Sequence, residues 1–349
     1  MNSSDYLPYL YNLVIFAVGG TIALYLIFNR KWIKQGWPIE LCLCVFSIYI
    51  MTFIPDDASI ATDRINYAHL FETGEATNIT DIGFLGYVWL CRVLLRGNVD
   101  LFFGLSAIIY VGALWLLSKI LCGRKSVYVI ITAFMSLGFL SYNVNTLRAG
   151  LALALFLFAI ASHVEKNKVM FVSFSVLSVL LHFSTALIVI SYLLSLTRIK
   201  IKWYYFVWIV FLIISFLNIA SPLTDFVRLA DNIKINGYLD ARFVEYKVGF
   251  RWDFIMYSLF PLFIGYWFAI RNNYHNPIYL RLYKCYILTN AIWLLYIRIP
   301  FTNRVAFLSW FLLPFLVLLP FFDGRYKNGQ AAFYSGMIIA FVCILNLVI

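Results

Sequence analysis

Apolar runs of about 17 to 23 residues recur from one end of the 349-residue chain to the other, and this recurrence limits the fold more than any motif does. A helix rises ~1.5 Å per residue, so each run is long enough to cross a ~30 Å hydrocarbon core. With 63% hydrophobic and only 12% charged residues the composition lies far from that of a soluble domain. The expectation is an all-α polytopic membrane helix bundle, one integral membrane domain over residues 1–349 whose core is the bundle itself. A net charge of +11 fits a multi-span protein with basic inside loops. The basic residues are scattered at span ends, which argues against a nucleic-acid partner. "MNSSDYLPYL" has no basic n-region and no small-x-small site follows the first run, so no cleavable signal peptide is expected. Cys42 and Cys44 form C-x-C without a His or second Cys pair, so neither a metal site nor a cofactor is expected.

Loop charges suggest the topology. A first span, Pro8 to Phe28, leads to "NRKWIKQ" inside, and a second, Pro38 to Ile54, returns outward. The acidic "PDDASIATDRINYAHLFETGEATNITD" then reads as external, and "IGFLGYVWLCRVLL", interrupted by Arg92, as a re-entrant or interfacial helix. Together they make an external region at about 55–98. Spans at 101–121 and 126–142 and the apolar helix after "NVNTLRAG" complete the first half. Its inside loops hold Arg30, Lys31, Lys34, Lys119, Arg124, Lys125, Lys166 and Lys168, against Arg64, Arg92, Arg96 and Arg148 outside. The stretch Val169 to Leu196 is 28 residues, ~42 Å as one helix, with basic residues at both ends. It is either a hairpin of short helices with its tip at "LHFST" or one tilted helix. With the hairpin the chain makes about 12 crossings (range 10–13), both termini lie outside, and a second external loop covers about 220–252.

Four polar clusters fall on one membrane face in this scheme. They are "TDRINY" (Asp63, Arg64, Tyr67), "NVNTLRAG" (Asn145, Arg148), "LHFST" (His182) and "RIPFTNR" (Arg298, Arg304). The large loop adds Arg242 and Arg251. From Val144 to Ser162 Arg148 is the only charged side chain, and lipid offers a guanidinium no partner. Arginines at the mouths of spans beside a histidine favour an anionic ligand, and planar guanidinium groups fork onto diphosphate oxygens. Asn145 and Arg148 are three apart and share a helical face, so both can look into one cavity. Gly150 and Ala154 allow a close neighbour. Taken singly, Arg148 and Arg304 also read as snorkelling span-end anchors, His182 as a packing histidine, and Asp56, Asp57, Glu72 and Asp81 as solvated loop acids.

"NTLRAGLALALFLFAIASHVEKNKVMFVSFSVLSVLLHFSTALI" resembles the EpsG-like branch of the Wzy polysaccharide polymerases. Their pattern is an Asn, an Arg-Gln-Gly at a helix start, a small-residue helix, a basic turn and a later Phe-His-x-Ser-Ala. Ala149 stands here in place of the Gln, Leu181 precedes the His, and Thr185 separates Ser184 from Ala186. "ATDRINYAHLF" is similar to the family's Asp-x-x-x-Tyr element, and "FTNRVAFLSWFLLP" to its late Arg-containing span. The resemblance implies a multi-pass enzyme of the bacterial inner membrane, related in architecture to lipid-phosphosugar-dependent (GT-C-like) glycosyltransferases. Such an enzyme joins oligosaccharide repeat units carried on undecaprenyl diphosphate at the outer face, by inverting transfer, into O-antigen or other surface polysaccharide. It works on a lipid-linked donor and acceptor in the bilayer, with room for a chain-length regulator. On this reading Arg148 and Arg304, with Arg298, clamp the diphosphate, and His182 or Asp63 is the base. Asn145, Arg64, Tyr67, Arg242 and Arg251 complete the substrate-binding set.

Three other functions draw on the same residues. A flippase for lipid-linked sugars would want buried arginines, but also half-to-half repeats, which the sequence lacks. A membrane O-acetyltransferase would expose its His to a cytoplasmic acyl donor. An O-antigen ligase differs only in acceptor.

Overall fold

The computed structural model describes residues 6–55, 63–75, 79–219, 249–299 and 301–348. Among them every regular element is helical, and no strand occurs. Six helices are long and apolar enough to cross a membrane: Leu7–Asn29, Val99–Met135, Leu147–Val164, Trp252–Arg271, Thr302–Phe321 and Asn328–Leu347. Shorter apolar helices cover Trp37–Phe53, Ile82–Leu95, Lys168–Leu181, Phe183–Ser195 and Ile201–Phe216.

The chain divides into two compact units, Met1–Val189 with Leu313–Ile349, and Ile190–Leu312. The first contains α1 (Leu7–Asn29), α2 (Trp37–Phe53), α3 (Arg64–Thr73), α4 (Ile82–Leu95), α5 (Val99–Cys122), α6 (Ser126–Met135), α7 (Phe139–Val144), α8 (Leu147–Val164) and α9 (Lys168–Leu181). Polar residues punctuate the apolar runs. The Asn98 side chain accepts from Leu101 N (3.0 Å) at the start of α5, and Asn167 from Met170 N (3.1 Å) at the start of α9. Each satisfies an amide that has no partner inside its own helix.

Helix α8 lies at the centre of this unit, packed on α5 and α9. Leu153, Ala154, Leu157, Ala159 and Ile160 are fully buried, which explains the small residues of the run. A Cβ at Gly150 would collide with the Tyr142 carbonyl, so glycine is what lets α7 close on the head of α8. Behind that head Tyr67, Phe71, Phe84, Phe102, Leu147, Leu151 and Leu181 form one hydrophobic cluster drawn from five helices.

Two features depart from the sequence reading. The expected continuous span 126–142 stops at Met135, and all ten residues of α6 are buried. Such a segment faces protein on every side, which a hydropathy window cannot distinguish from facing lipid. Glu40, inside the second apolar run, is buried, and its carboxylate accepts from Lys119 Nζ (2.9 Å) and Ser126 Oγ (2.7 Å). That contact ties α2, α5 and α6 together.

The second unit takes in most of α10 (Ala186–Ser195), then α11 (Ile201–Phe216), α12 (Trp252–Tyr266), α13 (Pro277–Leu294) and α14 (Thr302–Trp310). A buried polar network holds it. Asn290 Nδ2 donates to Ser258 Oγ and Ser309 Oγ (both 3.0 Å), Trp208 Nε1 donates to Asn290 Oδ1 (2.9 Å), and Trp310 Nε1 donates to Ser258 Oγ (2.8 Å). Satisfied on each side, such a network fixes one packing of the helices.

Candidate functional site

The 28-residue stretch Val169 to Leu196 is broken at "LHFST". Helix α9 ends at Leu181, His182 is extended (φ −158°, ψ 112°), and a single 3₁₀ turn, Phe183–Thr185, leads into α10. Buried hydroxyls pin the break. Thr185 Oγ1 lies 2.8 Å from His182 O and 2.9 Å from Ser178 O, and Ser178 Oγ donates to Ala152 O on α8 at 2.7 Å. The histidine is therefore held against the first turns of α8, where Arg148 stands.

Between them lies Asp81, the residue just before α4. Arg148 Nη1 donates to Asp81 Oδ2 at 2.5 Å, and His182 Nδ1 lies 3.5 Å from the same oxygen. The side chains of Arg148, Asp81 and His182 are 23%, 12% and 27% exposed, so the group is largely but not fully buried. Tyr67 on α3 hydrogen-bonds the guanidinium and rests edge-on against Phe84 at 5.5 Å. Arg148 Nε is buried with no hydrogen-bond partner. Close helix approach brings the carboxylate in: a Cβ at Gly83 would stand 2.6 Å from Leu180 C and 2.7 Å from Leu180 O. Only glycine allows α4 this near α9.

Asp81 lies outside the six spans, and its ionisation is set by this contact. Burial opposes the charged form, but the hydrogen bond and charge of His182 and the charge of Arg148 outweigh it, holding the carboxyl down from 3.8 to about 2. The α4 N-terminus adds a favourable field for an anion. At neutral pH Asp81 is thus a carboxylate that balances the Arg148 guanidinium, with the His182 ring beside it.

The other residues named from sequence stand as follows. Asp63 immediately precedes α3, and the carboxylate that meets Arg148 and His182 is Asp81. The sequence reading left Asp81 among the solvated loop acids; that is corrected by its ion pair and its 12% exposure. Arg64 is 1% exposed and turned inward: it donates to Met51 O (2.9 Å) and Thr52 O (2.7 Å) and stacks over Phe103, 3.5 Å from the ring centre. It satisfies carbonyls at the C-terminus of α2 and anchors α3 there. Asn145 Nδ2 lies 3.5 Å from Ser141 Oγ, and the residue lines a cavity of the first unit.

In the second unit Arg298 caps α11 by donating to Ser215 O and Phe216 O (both 3.2 Å). Arg304 stacks over Phe301 at 4.9 Å, and Arg251 grips Asp253 (Nε to Oδ1 2.9 Å) while stacking over Phe254 at 3.6 Å. Arg242 lies outside the described residues. The missed residue, Asp81, did carry a local signal: an acid directly before an apolar helix whose second residue is glycine.

No curated protein and no solved structure matches the chain. A family model does, over residues 9–349, nearly the whole length. By that match the chain belongs to the EpsG family, whose role is that of a glycosyltransferase-type polysaccharide polymerase.

Proposed function

We propose that this protein polymerises undecaprenyl-diphosphate-linked oligosaccharide repeat units into O-antigen or another surface polysaccharide, by inverting glycosyl transfer at the periplasmic face of the bacterial inner membrane. The observation that carries the reading is the meeting of Arg148, Asp81 and His182, drawn from distant parts of the chain, at the head of one apolar helix. In the reaction an acceptor hydroxyl attacks the anomeric carbon of the donor from the face opposite the diphosphate. Its oxygen–hydrogen bond breaks as the new glycosidic bond forms, and the bond from carbon to diphosphate oxygen breaks with its electrons leaving on that oxygen. Arg148 stabilises the charge that develops there, with its unpartnered Nε and forked geometry as the receiving donors.

His182 takes the proton. A carboxyl held near 2 is a poor base at neutral pH, so Asp81 serves by orientation. With the proton on Nδ1 donated to Asp81, the lone pair of His182 sits on Nε2, ready for the acceptor hydroxyl. Tyr67 steadies the guanidinium, and Arg64 holds α3 in place. Arg304, Arg298, Arg251 and Arg242, named from the sequence, keep the substrate-binding role expected of them as part of the proposal. The scheme needs about 12 crossings and no cofactor, and it leaves room for a chain-length regulator.

The test is complementation of a deletion strain with Arg148→Lys. A lysine keeps the charge but loses the fork. The expected result is inserted protein and lipopolysaccharide capped by single repeat units. Long polymer at a normal level would remove Arg148 from the mechanism. Loss of all capping would mark a flippase or ligase, and normal length with altered acetyl content an acetyltransferase.

A further inference from the structure

A cavity of about 300 Å³ has Asn145, three residues before Arg148, in its wall and does not include Arg148, Asp81 or His182. Its wall is built by the start of α1, the ends of α2 and α6, α7, and the end of α16 (Asn328–Val348), after α15 (Leu313–Leu318), all in the first unit. It exists because α6 stops at Met135 and the chain turns before α7, leaving space where a continuous helix would have run. Asn145 belongs to the wall and precedes Arg148 by three residues, so cavity and ion pair share one end of the unit.

The lining has a definite chemistry. No charged side chain occurs among the described residues that form it. Asn12, Ser141, Asn145 and Asn346 supply amides and a hydroxyl, and Phe16 and Phe139 supply apolar rings. Two of the amides are incompletely satisfied. Asn346 Nδ2 donates back to Val342 O at 2.7 Å and Asn145 Nδ2 toward Ser141 Oγ at 3.5 Å, while the Oδ1 of each is buried with no partner. Such acceptors are costly to leave empty, and they call for donors without charge. A phosphate finds no cation here and an ammonium no anion. A ring bearing several hydroxyls above apolar faces matches both halves of the wall, and the volume is at the small end of ligand pockets.

We propose that this cavity is a saccharide subsite that holds one uncharged sugar of the lipid-linked glycan while the diphosphate is engaged at Arg148. The proposal rests on the polymerase reading and adds to it a place, a ligand class and residues that are not part of the reacting group.

The test uses the full chain in nanodiscs and, as probe, the free oligosaccharide released by mild acid from the strain's own lipid-linked repeat units, which lacks both diphosphate and polyprenol. Binding is read by saturation-transfer NMR. The wild type and Arg148→Ala should bind the probe alike, and Asn346→Leu should bind at least tenfold more weakly. Asn12 is exposed on the rim, so Asn12→Trp closes the mouth without disturbing the fold and should have the same effect. No binding to the wild type, or binding that survives Asn346→Leu and Asn12→Trp but is lost in Arg148→Ala, overturns the subsite. The polymerase reading stands or falls separately, on polymer length in Arg148→Lys cells.

Discussion

Replacing Asp81 by Asn keeps the shape of the side chain and removes its charge, and the size of the effect follows from the ion group. The carboxyl is held at about 2 against an ordinary 3.8, close to two pKa units. At 1.36 kcal/mol per unit this is about 2 to 3 kcal/mol favouring an ionised Asp81 in this arrangement, on the order of a 60-fold change in rate if all of it orients His182. The direction with pH follows. A depressed carboxyl gives its stabilisation fully above about 4 and loses it as pH falls through about 2. Asp81 itself therefore stays ionised across the neutral range, where the wild type and Asp81→Asn are compared. The assay is polymer formation from a synthetic polyprenyl-diphosphate oligosaccharide by protein in nanodiscs, with His182→Gln and the double variant alongside. If Asp81 acts through His182, the double variant is no slower than His182→Gln alone. Normal turnover in Asp81→Asn, or a further loss of about 60-fold on top of His182→Gln, would refute the orienting role.

Gly83→Ala should push α4 off the Leu180 backbone, costing about 1–3 kcal/mol, with a lower melting temperature and polymer output reduced beyond the loss of folded protein. Thr185→Val removes the hydroxyl that ties His182 O to Ser178 O; a loss of about 1–2 kcal/mol and slower polymerisation are expected, measured by the same thermal and polymer assays. Glu40→Gln weakens the tie among α2, α5 and α6 by about 2 kcal/mol and should lower thermal stability while leaving the turnover of folded protein unchanged.

The membrane class was legible, and the break at "LHFST" was one of two readings left open, because each is a local contrast: long apolar runs and a polar interruption. Asp81 was not. It is one acid of several in a polar stretch, and what distinguishes it is a pairing across 67 residues to Arg148 and 101 to His182. Such a pairing is made by helix packing, and its trace in the sequence is no more than an acid just before an apolar helix and a glycine that permits two backbones to touch. Arg64 misled in the opposite sense. A cation in a loop suggests a ligand, yet its place shortly after α2 brings it onto two carbonyls that the helix leaves unsatisfied. The cavity behind Asn145 was hidden for a third reason. The run containing α6 and α7 is apolar enough to read as one span, and hydropathy does not report that a helix stops partway.

The ion pair also bears on how a cation at the head of an apolar helix can serve binding. An isolated guanidinium at that depth would be expensive, and Asp81 removes most of that cost by standing where an anion belongs. On the proposed mechanism a diphosphate then meets a cation that already has a partner, so binding is an exchange of anions and its strength is a difference between two pairings. The carboxylate carries one charge and is fixed at the start of α4, while a diphosphate carries more charge and reaches Nε as well as the fork. The substrate can therefore win the exchange, and after the sugar has moved on Asp81 stands ready to reclaim Nη1 and help the spent carrier leave. An arginine without Asp81 would hold the product as firmly as the donor, and turnover would slow at release.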